Sequence, residues 1–379
     1  MVQTASLGFP PIGISDAVGL WQTGAIDDWR LSTMARTARQ AAWSAQRAAG
    51  IDIIPSGEWG YGDPVADTAA MAGAVPARFG PDIGRAKLEV RLALAFGSGE
   101  EAPARAAWYG THRQFVQPVL GEDDRWRLNS AHPVAEQLEA RSFGITTRPV
   151  LIGPISFLLH CRAAGGSPLA FLDRALPAYQ EMVKQFHIHG ADWVQLDEPA
   201  LAGCNDPSVL QAFAKAYAQL RDGSAPRIMV VTYGGPVTAA LDVLKAAPIE
   251  GLHIDLVAAP DQIGPVAAAW PADRALSLGV VDAASPAPTR VASALRLVQQ
   301  AMDQLGPARL QVAPSMPLTF APTALDRAPL DLVPRIETAA DKLRAVRRIA
   351  DAATGGTDLP DAGTALPDRP ELTPAALAG

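Results

Sequence analysis

The chain has 379 residues, enough for one large domain or two of ordinary size, and 49% of them are hydrophobic, which is ample for a sizeable core. The formal net charge is −7, and 32 Lys and Arg residues are scattered among 39 Asp and Glu residues, so no nucleic-acid partner is predicted. There is no signal-peptide pattern, and no apolar run approaches the ~20 residues of a membrane helix. With only two cysteines, these features predict a soluble, cytoplasmic protein with no disulfide framework and no membrane partner.

Short apolar runs that are punctuated by Gly or Pro alternate along the chain with longer helical patterns. The candidate strands are 7–12, 51–56, 114–117, 149–153, 194–197, 228–232, 252–257, 276–281 and 310–314. Amphipathic helices are predicted between most of them, for example at 32–49, 171–189 and 291–305, and a glycine follows each of these three.

Strand–helix alternation of this kind indicates parallel strands joined by right-handed crossovers. We predict an α/β fold of the (β/α)8 TIM-barrel type, a single domain over 1–353, with one candidate strand to spare. A doubly wound open sheet is the rival fold, but no strand is followed by G-x-G-x-x-G and no G-x-x-x-x-G-K-[ST] occurs. Residues 77–148 are predicted to be an insertion with extended loops after the second strand. Residues 354–379, rich in Gly, Pro and Ala, are predicted to be a flexible tail.

The site of such a barrel lies at the carboxyl ends of its strands. This rule selects Glu58, His112, His160, Asp197, Glu198, Tyr233, Asp255, Asp282 and Met316. Asp197 and Glu198 are adjacent, so strand alternation points only one of them into the barrel. Two structural alternatives stay open: the acidic pair caps a turn at Pro199, and His253 forms a buried pair with Asp255.

Zinc that activates a thiol needs soft or borderline ligands, typically two Cys and a His that converge from strand ends. Cys161 directly follows His160, so their side chains diverge, and Cys204 lies in a predicted loop. The sequence therefore predicts no thiolate–zinc site in this chain and assigns no metal ligand, while a harder metal at Asp255 with His160 or His112 stays an open alternative.

Eight ordered motifs resemble those of cobalamin-independent methionine synthase, and in particular its amino-terminal half. They are 7–13 (LGFPPIG), 49–58 (AGIDIIPSGE), 67–71 (DTAAM), 148–154 (RPVLIGP), 195–201 (QLDEPAL), 251–257 (GLHIDLV), 276–282 (LSLGVVD) and 312–315 (VAPS). The resemblance runs from residue 7 to about residue 350. It implies one of two face-to-face barrels: the carboxyl-terminal barrel of the family holds a zinc for homocysteine, and the amino-terminal barrel helps to hold the folate tail.

The resemblance also assigns roles to single positions. Glu58 falls where the zinc-bearing barrel holds the amino group of homocysteine, and Asp197 falls where an aspartate hydrogen-bonds the pterin. The zinc-ligand positions fall near Val231 and Tyr233, at Asp255 and at Met316, and none of these is Cys or His.

Other positions depart from the family pattern. His160 replaces a tryptophan that contacts the pterin, and Ala107 stands where a lysine is expected. The basic residues expected after the first strand are replaced by residues 14–17 (ISDA), so a polyglutamate tail would meet less positive charge.

The expected function is therefore methyl transfer of the folate and homocysteine type in methionine metabolism. Glu58, Asp63, Asp197, Glu198 and Tyr233 are predicted to bind the substrate. Asp255, His160 and His112 are predicted to act in proton transfer.

A methylated folate is the expected methyl donor, and a separate zinc-bearing barrel chain is the expected partner. Two alternatives remain, namely a non-catalytic ligand-binding or scaffolding barrel, and a divergent zinc-independent enzyme that acts on a small amino or carboxylic acid.

Overall fold

The computed structural model describes residues 1–10, 13–57, 61–76, 88–97, 102–111, 113–221, 225–320 and 338–355. The statements below concern these ranges. None of the helices within them is long and apolar enough to cross a membrane.

In chain order the strands are β1 (Gln3–Thr4), β2 (Ile54–Ser56), β3 (Arg105–Ala107), β4 (Gln114–Val116), β5 (Val119–Leu120), β6 (Thr147–Ile152), β7 (Arg162–Ala163), β8 (Trp193–Asp197), β9 (Arg227–Val231), β10 (Gly251–Asp255), β11 (Ala275–Val281) and β12 (Leu310–Pro314). Eight of these strands form one parallel sheet, in the order β1-β12-β11-β10-β9-β8-β6-β2. The other four form two small sheets outside the main one, β3 with β4 and β5 with β7.

The two edge strands of the main sheet meet and close it into a ring. Ala5 forms a parallel bridge with Ile53. The Ile53 N–H donates to the Thr4 carbonyl at 3.0 Å, and the Ser6 N–H donates to the Ile53 carbonyl at 2.9 Å. Together with the parallel pairing of all eight strands, this closure gives the (β/α)8 barrel that the sequence predicts.

Helices surround the ring and follow its strands along the chain. They are α1 (Ile14–Gln22), α2 (Asp28–Ala48), α3 (Pro64–Ala72), α4 (Leu88–Phe96), α5 (His132–Ser142), α6 (Pro154–His160), α7 (Leu172–Ile188), α8 (Pro207–Leu220), α9 (Leu241–Ala246), α10 (Ile263–Ala269), α11 (Val291–Leu305) and α12 (Ala339–Ala353). Several begin at acidic or hydroxyl caps: Asp27 accepts from the Arg30 N–H, and Thr338 and Asp341 form a reciprocal capping box.

Two sequence predictions about strands need correction. The first barrel strand is Gln3–Thr4 and not 7–12. Leu7 and Phe9 are buried, so their hydrophobicity reflects packing in the loop after β1, and the Pro10 nitrogen has no hydrogen to donate to a sheet. The predicted strand at 114–117 exists as β4, but it pairs antiparallel with β3 and is the spare strand outside the barrel.

The connection between β2 and β6 contains α3, α4, the β3–β4 pair, β5 and α5. Thr147 and Arg148, which were placed in the insertion, belong to the barrel strand β6. At the other end of the chain α12 ends at Ala353, and residues 356–379 lie outside the described ranges.

Candidate functional site

Asp197 ends strand β8 and occupies the carboxyl-terminal side of the barrel interior. Its side chain is on the same strand face as Gln195, whose amide Nε2 donates to Asp197 Oδ1 at 2.8 Å. The residue is only 4% exposed. Burial raises the pKa of Asp197 to about 7, while the Gln195 hydrogen bond and the charge of Arg148 act in the opposite direction.

A layer of polar side chains lies below Asp197 inside the ring. Arg148 on β6 donates from Nη2 to Gln195 Oε1 at 2.9 Å and from Nη1 to Gln311 Oε1 at 3.2 Å. Burial lowers the pKa of Arg148 to about 10, so its guanidinium is charged at neutral pH. The barrel interior therefore contains a cation one side chain away from the Asp197 carboxyl.

Aromatic side chains lie across the carboxyl-terminal opening of the barrel. Trp108 comes from the turn between β3 and β4, and we call these two strands with the described residues of their turn the covering hairpin. The fully buried Trp108 indole lies 5.0 Å from the His160 ring and 6.4 Å from the Phe320 ring, measured between centroids. It also donates to the Tyr233 hydroxyl at 2.8 Å. Since these partners follow β6, β12 and β9, the indole spans the opening.

The covering hairpin rests directly on the loop that follows β9. A Cβ on Gly110 would lie 3.4 Å from the Gly234 Cα, so the two backbones are in close approach there. Gly110 also has a φ of 67°, in the left-handed region that favours glycine. Both properties allow the tip of the hairpin to lie close to the barrel.

His160, predicted to act in proton transfer, is part of this aromatic roof. Its Nε2 lies 3.1 Å from the Val116 carbonyl, so that ring nitrogen is the donor. Burial lowers the pKa of His160, which keeps the ring neutral at pH 7. Tyr233, predicted to bind substrate, also belongs to the roof, and burial raises the pKa of its hydroxyl well above the usual range.

Glu198, predicted to bind substrate, faces away from the barrel interior. Its Oε2 accepts from the Ser156 N–H at 2.7 Å, and its Oε1 accepts from the Ile155 N–H and the Tyr217 hydroxyl, each at 3.2 Å. The residue is 0% exposed. The carboxyl fastens the start of α6, and its substrate-binding role stays a prediction.

Asp255 and Asp63 are also occupied by backbone N–H groups. Asp255 Oδ1 accepts from Val257 and Ala258 at 2.9 Å each, and Oδ2 accepts from Gly234 at 3.0 Å. These bonds hold the loops after β9 and β10, and the proton-transfer role of Asp255 stays a prediction.

Asp63, expected to bind substrate, caps α3 with Oδ1 and accepts from the Val116 N–H with Oδ2 at 2.9 Å. Burial raises its pKa to about 6. This carboxyl ties the covering hairpin to α3, and its substrate-binding role stays a prediction.

The alternative pairing of His253 with Asp255 is wrong. His253 Nδ1 lies 2.9 Å from Ser277 Oγ, and Nε2 lies 3.2 Å from the Ser315 carbonyl. Because that carbonyl only accepts, Nε2 carries the proton and Nδ1 accepts from Ser277. Burial lowers the pKa of His253 to about 3, so the ring is a neutral part of the interior.

Two predicted site residues, Glu58 and His112, lie outside the described residues. Gly57, which precedes Glu58, is held by its N–H, which donates to Glu136 Oε2 at 3.0 Å. The roles of Glu58 and His112 remain predictions.

The donor groups at the strand ends do not fit a thiolate–zinc site. Of the positions that the family pattern assigns to zinc, Val231 has no donor atom, Met316 offers only a weak thioether, and Asp255 is used by backbone N–H groups. Burial raises the pKa of the Cys161 thiol, which opposes thiolate formation. Within the ranges that the structure describes, no three His, Cys, Asp or Glu side chains are grouped to hold a metal ion.

Arg148, Gln195 and Gln311 were missed as site-related residues. Gln195 lies two residues before Asp197, so strand alternation places both on one face. Arg148 is a charged residue within an otherwise apolar strand, and such a residue needs a polar partner in the interior. These two signals were readable in the sequence.

A family model described as the N-terminal domain of cobalamin-independent synthase matches residues 3–306, which is most of the chain. The chain belongs to this family. The 5-methyltetrahydropteroyltriglutamate–homocysteine methyltransferase of Xylella fastidiosa (strain M23) is 36% identical over 379 residues, covering 97% of this chain and 50% of the relative. The protein of the same name from Chelativorans sp. (strain BNC1) is 38% identical over 349 residues, covering 86% and 44%. The chain thus spans about half the length of these curated relatives.

Solved structures of other proteins share the barrel fold. A B12-independent methionine synthase from Shewanella sp. W3-18-1, in complex with selenomethionine, gives a TM-score of 0.67 at 13% identity and covers 94% of this chain and 98% of that chain. A methyltransferase from Methanosarcina mazei gives 0.54 at 13% identity, with 93% and 94% covered. At these identities the likeness concerns the fold, and the predicted barrel is confirmed.

Proposed function

We propose that this chain takes part in methyl transfer of the cobalamin-independent methionine synthase type, as the half that binds ligand, and that a separate zinc-bearing barrel chain supplies thiol activation. The observation that carries the proposal is the family match over residues 3–306, together with relatives that are 36% and 38% identical. Those relatives are named for 5-methyltetrahydropteroyltriglutamate and homocysteine, so these are the substrates we propose. The cytoplasm is the proposed location.

The chemistry explains why a partner is needed. In the proposed reaction the methyl group leaves a folate nitrogen and forms a bond to the homocysteine sulfur, and the nitrogen takes up a proton. The sulfur has to react as thiolate, and a thiol pKa is lowered by a cation or a neighbouring base. Among the described residues, the cation near Asp197 is Arg148, which lies one side chain below the carboxyl and donates to two glutamines, so it is not placed to contact a thiol beside Asp197.

Asp197 is the carboxyl of this chain that we propose to contact the ligand. It lies inside the barrel near the opening, and an ionised carboxylate there suits an N–H-bearing group such as a pterin edge or an amine. Glu58 is proposed as a second acidic contact, on the strength of the family pattern. His112 is proposed to assist proton transfer on the same basis.

The test combines the chain with the carboxyl-terminal half of the Xylella fastidiosa relative, supplied with zinc. Methionine formation from homocysteine and 5-methyltetrahydropteroyltriglutamate is measured with each half alone and with both. We expect the rate to rise when both are present and to fall in Asp197→Asn. A rate that is unchanged by adding this chain, at concentrations that saturate any complex, would reject the proposal.

A second candidate is a ligand-binding barrel without catalysis. The position of the Trp108 indole across the opening favours it, as do the structural roles of Asp255 and Glu198. Calorimetric titration with the folate distinguishes the two functions. Binding that is lost in Asp197→Asn, without turnover in the two-chain assay, supports this second candidate.

A further inference from the structure

We propose that Gln195, held in one orientation by Arg148, is a positioning residue that presents an N–H donor to Asp197. This inference rests on the proposed function in one respect, namely that Asp197 is the carboxyl that meets the ligand. The three side chains form a continuous chain of hydrogen bonds, from Arg148 Nη2 to Gln195 Oε1 at 2.9 Å and from Gln195 Nε2 to Asp197 Oδ1 at 2.8 Å.

The direction of this chain is fixed by what each group is able to do. A guanidinium only donates, so it selects the oxygen end of the Gln195 amide. The amide nitrogen then faces two acceptors, Asp197 Oδ1 and the Leu7 carbonyl at 3.0 Å. A reversed amide would set donor against donor and acceptor against acceptor at all three contacts. Arg148 and the Leu7 carbonyl therefore both select the orientation in which an N–H meets the carboxylate.

Because these side chains are buried, the orientation of the Gln195 amide affects the Asp197 carboxyl. Gln195 is 0% exposed, and Arg148 and Asp197 are each 4% exposed, so water does not readily replace a lost bond. Among the described residues, Asp197 Oδ2 receives no hydrogen bond, whereas Oδ1 is held by Gln195. The arrangement therefore immobilises one carboxyl oxygen and leaves the second for a ligand.

The charged and titratable groups around Asp197 come from several elements. Arg148 on β6 favours its ionised form, and the adjacent Glu198 disfavours it. Burial raises the pKa of Tyr233, after β9, and of Tyr217, on α8, and the charge of Asp197 acts in the same direction on both. Gln195 is the side chain that hydrogen-bonds the carboxylate directly, so removing it should disfavour ionisation more than a change elsewhere in the layer.

Two matched substitutions test the proposal. Gln195→Met and Gln311→Met each remove one acceptor from Arg148, but only Gln195 touches Asp197. The readout is the titration midpoint of the Asp197 carboxyl carbon, followed by NMR in the ligand-free chain. We expect the midpoint to rise by about 1 pH unit in Gln195→Met and by less than about 0.3 in Gln311→Met. Equal shifts, or no shift in either folded variant, would overturn the proposal.

A measurement on the unaltered chain covers the case in which Gln195→Met does not fold. The side-chain amide protons of Gln195 should change chemical shift with the same midpoint as the Asp197 carboxyl, and those of Gln311 should not. If both glutamines follow the Asp197 titration equally, or neither does, Gln195 has no special coupling to the carboxyl and the proposal fails.

Binding measurements separate this inference from the proposed function. With 5-methyltetrahydropteroyltriglutamate as the probe, a 1-unit rise from pH 7 leaves about a tenth of Asp197 ionised instead of half, so affinity at pH 7 should fall roughly fivefold in Gln195→Met. If Asp197→Asn binds the probe as the unaltered chain does, Asp197 is not the ligand contact, although the midpoint shift stands. If Asp197→Asn loses binding and Gln195→Met moves no midpoint, the positioning role is the part that fails.

Discussion

At the scale of single residues, the acidic side chains near the strand ends differ in the hydrogen bonds that their carboxyl oxygens accept. Glu198, Asp255 and Asp63 each accept backbone N–H groups with both oxygens, whereas Asp197 accepts one hydrogen bond from a side chain. Sequence alternation predicted that Asp197 and Glu198 point to opposite faces. It did not predict which one points inward, because that depends on how β8 is set against its neighbours.

Asp197 should make the stability of the chain depend on pH. Its pKa is raised from 3.8 to about 7. Between these two pH values the folded state therefore binds more protons than the unfolded state. Stability from this residue is therefore lost as pH rises. Relative to Asp197→Asn, the free energy of unfolding should fall by up to about 1.4 kcal/mol per pH unit, a few kcal/mol in all.

Urea denaturation of both proteins from pH 4 to 8 checks this prediction. The comparison with Asp197→Asn cancels the titration of other buried groups, of which His253 acts in the opposite sense. If the difference in unfolding free energy between the two proteins does not change between pH 4 and 8, the prediction is contradicted.

At the scale of elements, the start of α6 depends on an unusually close approach. A Cβ on Gly153 would lie 2.2 Å from Glu198 Cδ, so the absence of a side chain there lets the carboxyl reach the first N–H groups of the helix. The φ of Gly153 is −66°, which any residue adopts. The need for glycine at 153 is therefore steric.

Gly153→Ala should accordingly displace Glu198 and cost about 3 kcal/mol of unfolding free energy. The matched control is Gly165→Ala, where an added Cβ meets nothing within 4 Å and the expected change is within about 0.5 kcal/mol. Both are measured by chemical denaturation. Similar small losses in the two variants would show that Glu198 adapts without cost.

The covering hairpin is held by Asp63, a helix cap that also contacts the hairpin. Asp63 and Asp206 are both N-caps, of α3 and α8, but only Asp63 also accepts from the Val116 N–H and pairs with Arg105. Asp206→Ala should lower the free energy of unfolding only by the loss of the cap. Asp63→Ala should cost at least twice as much, because the hairpin contacts are buried. Equal costs by denaturation would mean that the hairpin does not depend on Asp63.

At the scale of the whole molecule, the ring is closed by its shortest strand. β1 has two residues, and its contact with β2 is a single bridge, whereas β10 and β11 pair over five residues. The seam should open more readily than the opposite side of the barrel. In native-state hydrogen exchange, the amides of Ser6 and Ile53 should exchange at least about tenfold faster than those of Leu256 and Thr232. Uniform protection around the ring would contradict this.

The sequence predicted the barrel because alternation and apolar runs are local signals. Six later strands lie within one or two residues of the structure, and the helix at 291–305 has the observed bounds. It failed at β1, where buried loop residues such as Leu7 mimic a strand, and at β4, which has strand character but pairs elsewhere. The site was less predictable, since the division of acids into free and occupied depends on backbone N–H groups from distant loops.

Trp108 lies across the end of the barrel through which a ligand would reach Asp197, so it affects the affinity of that ligand. A ligand that reaches Asp197 from the open end of the barrel has to move the indole and, with it, the hairpin that Asp63 fastens. The apparent dissociation constant then equals the intrinsic one divided by the small fraction of molecules that are already open. Loosening the Asp63 anchor would enlarge that fraction, so a less stable protein would bind the ligand more tightly.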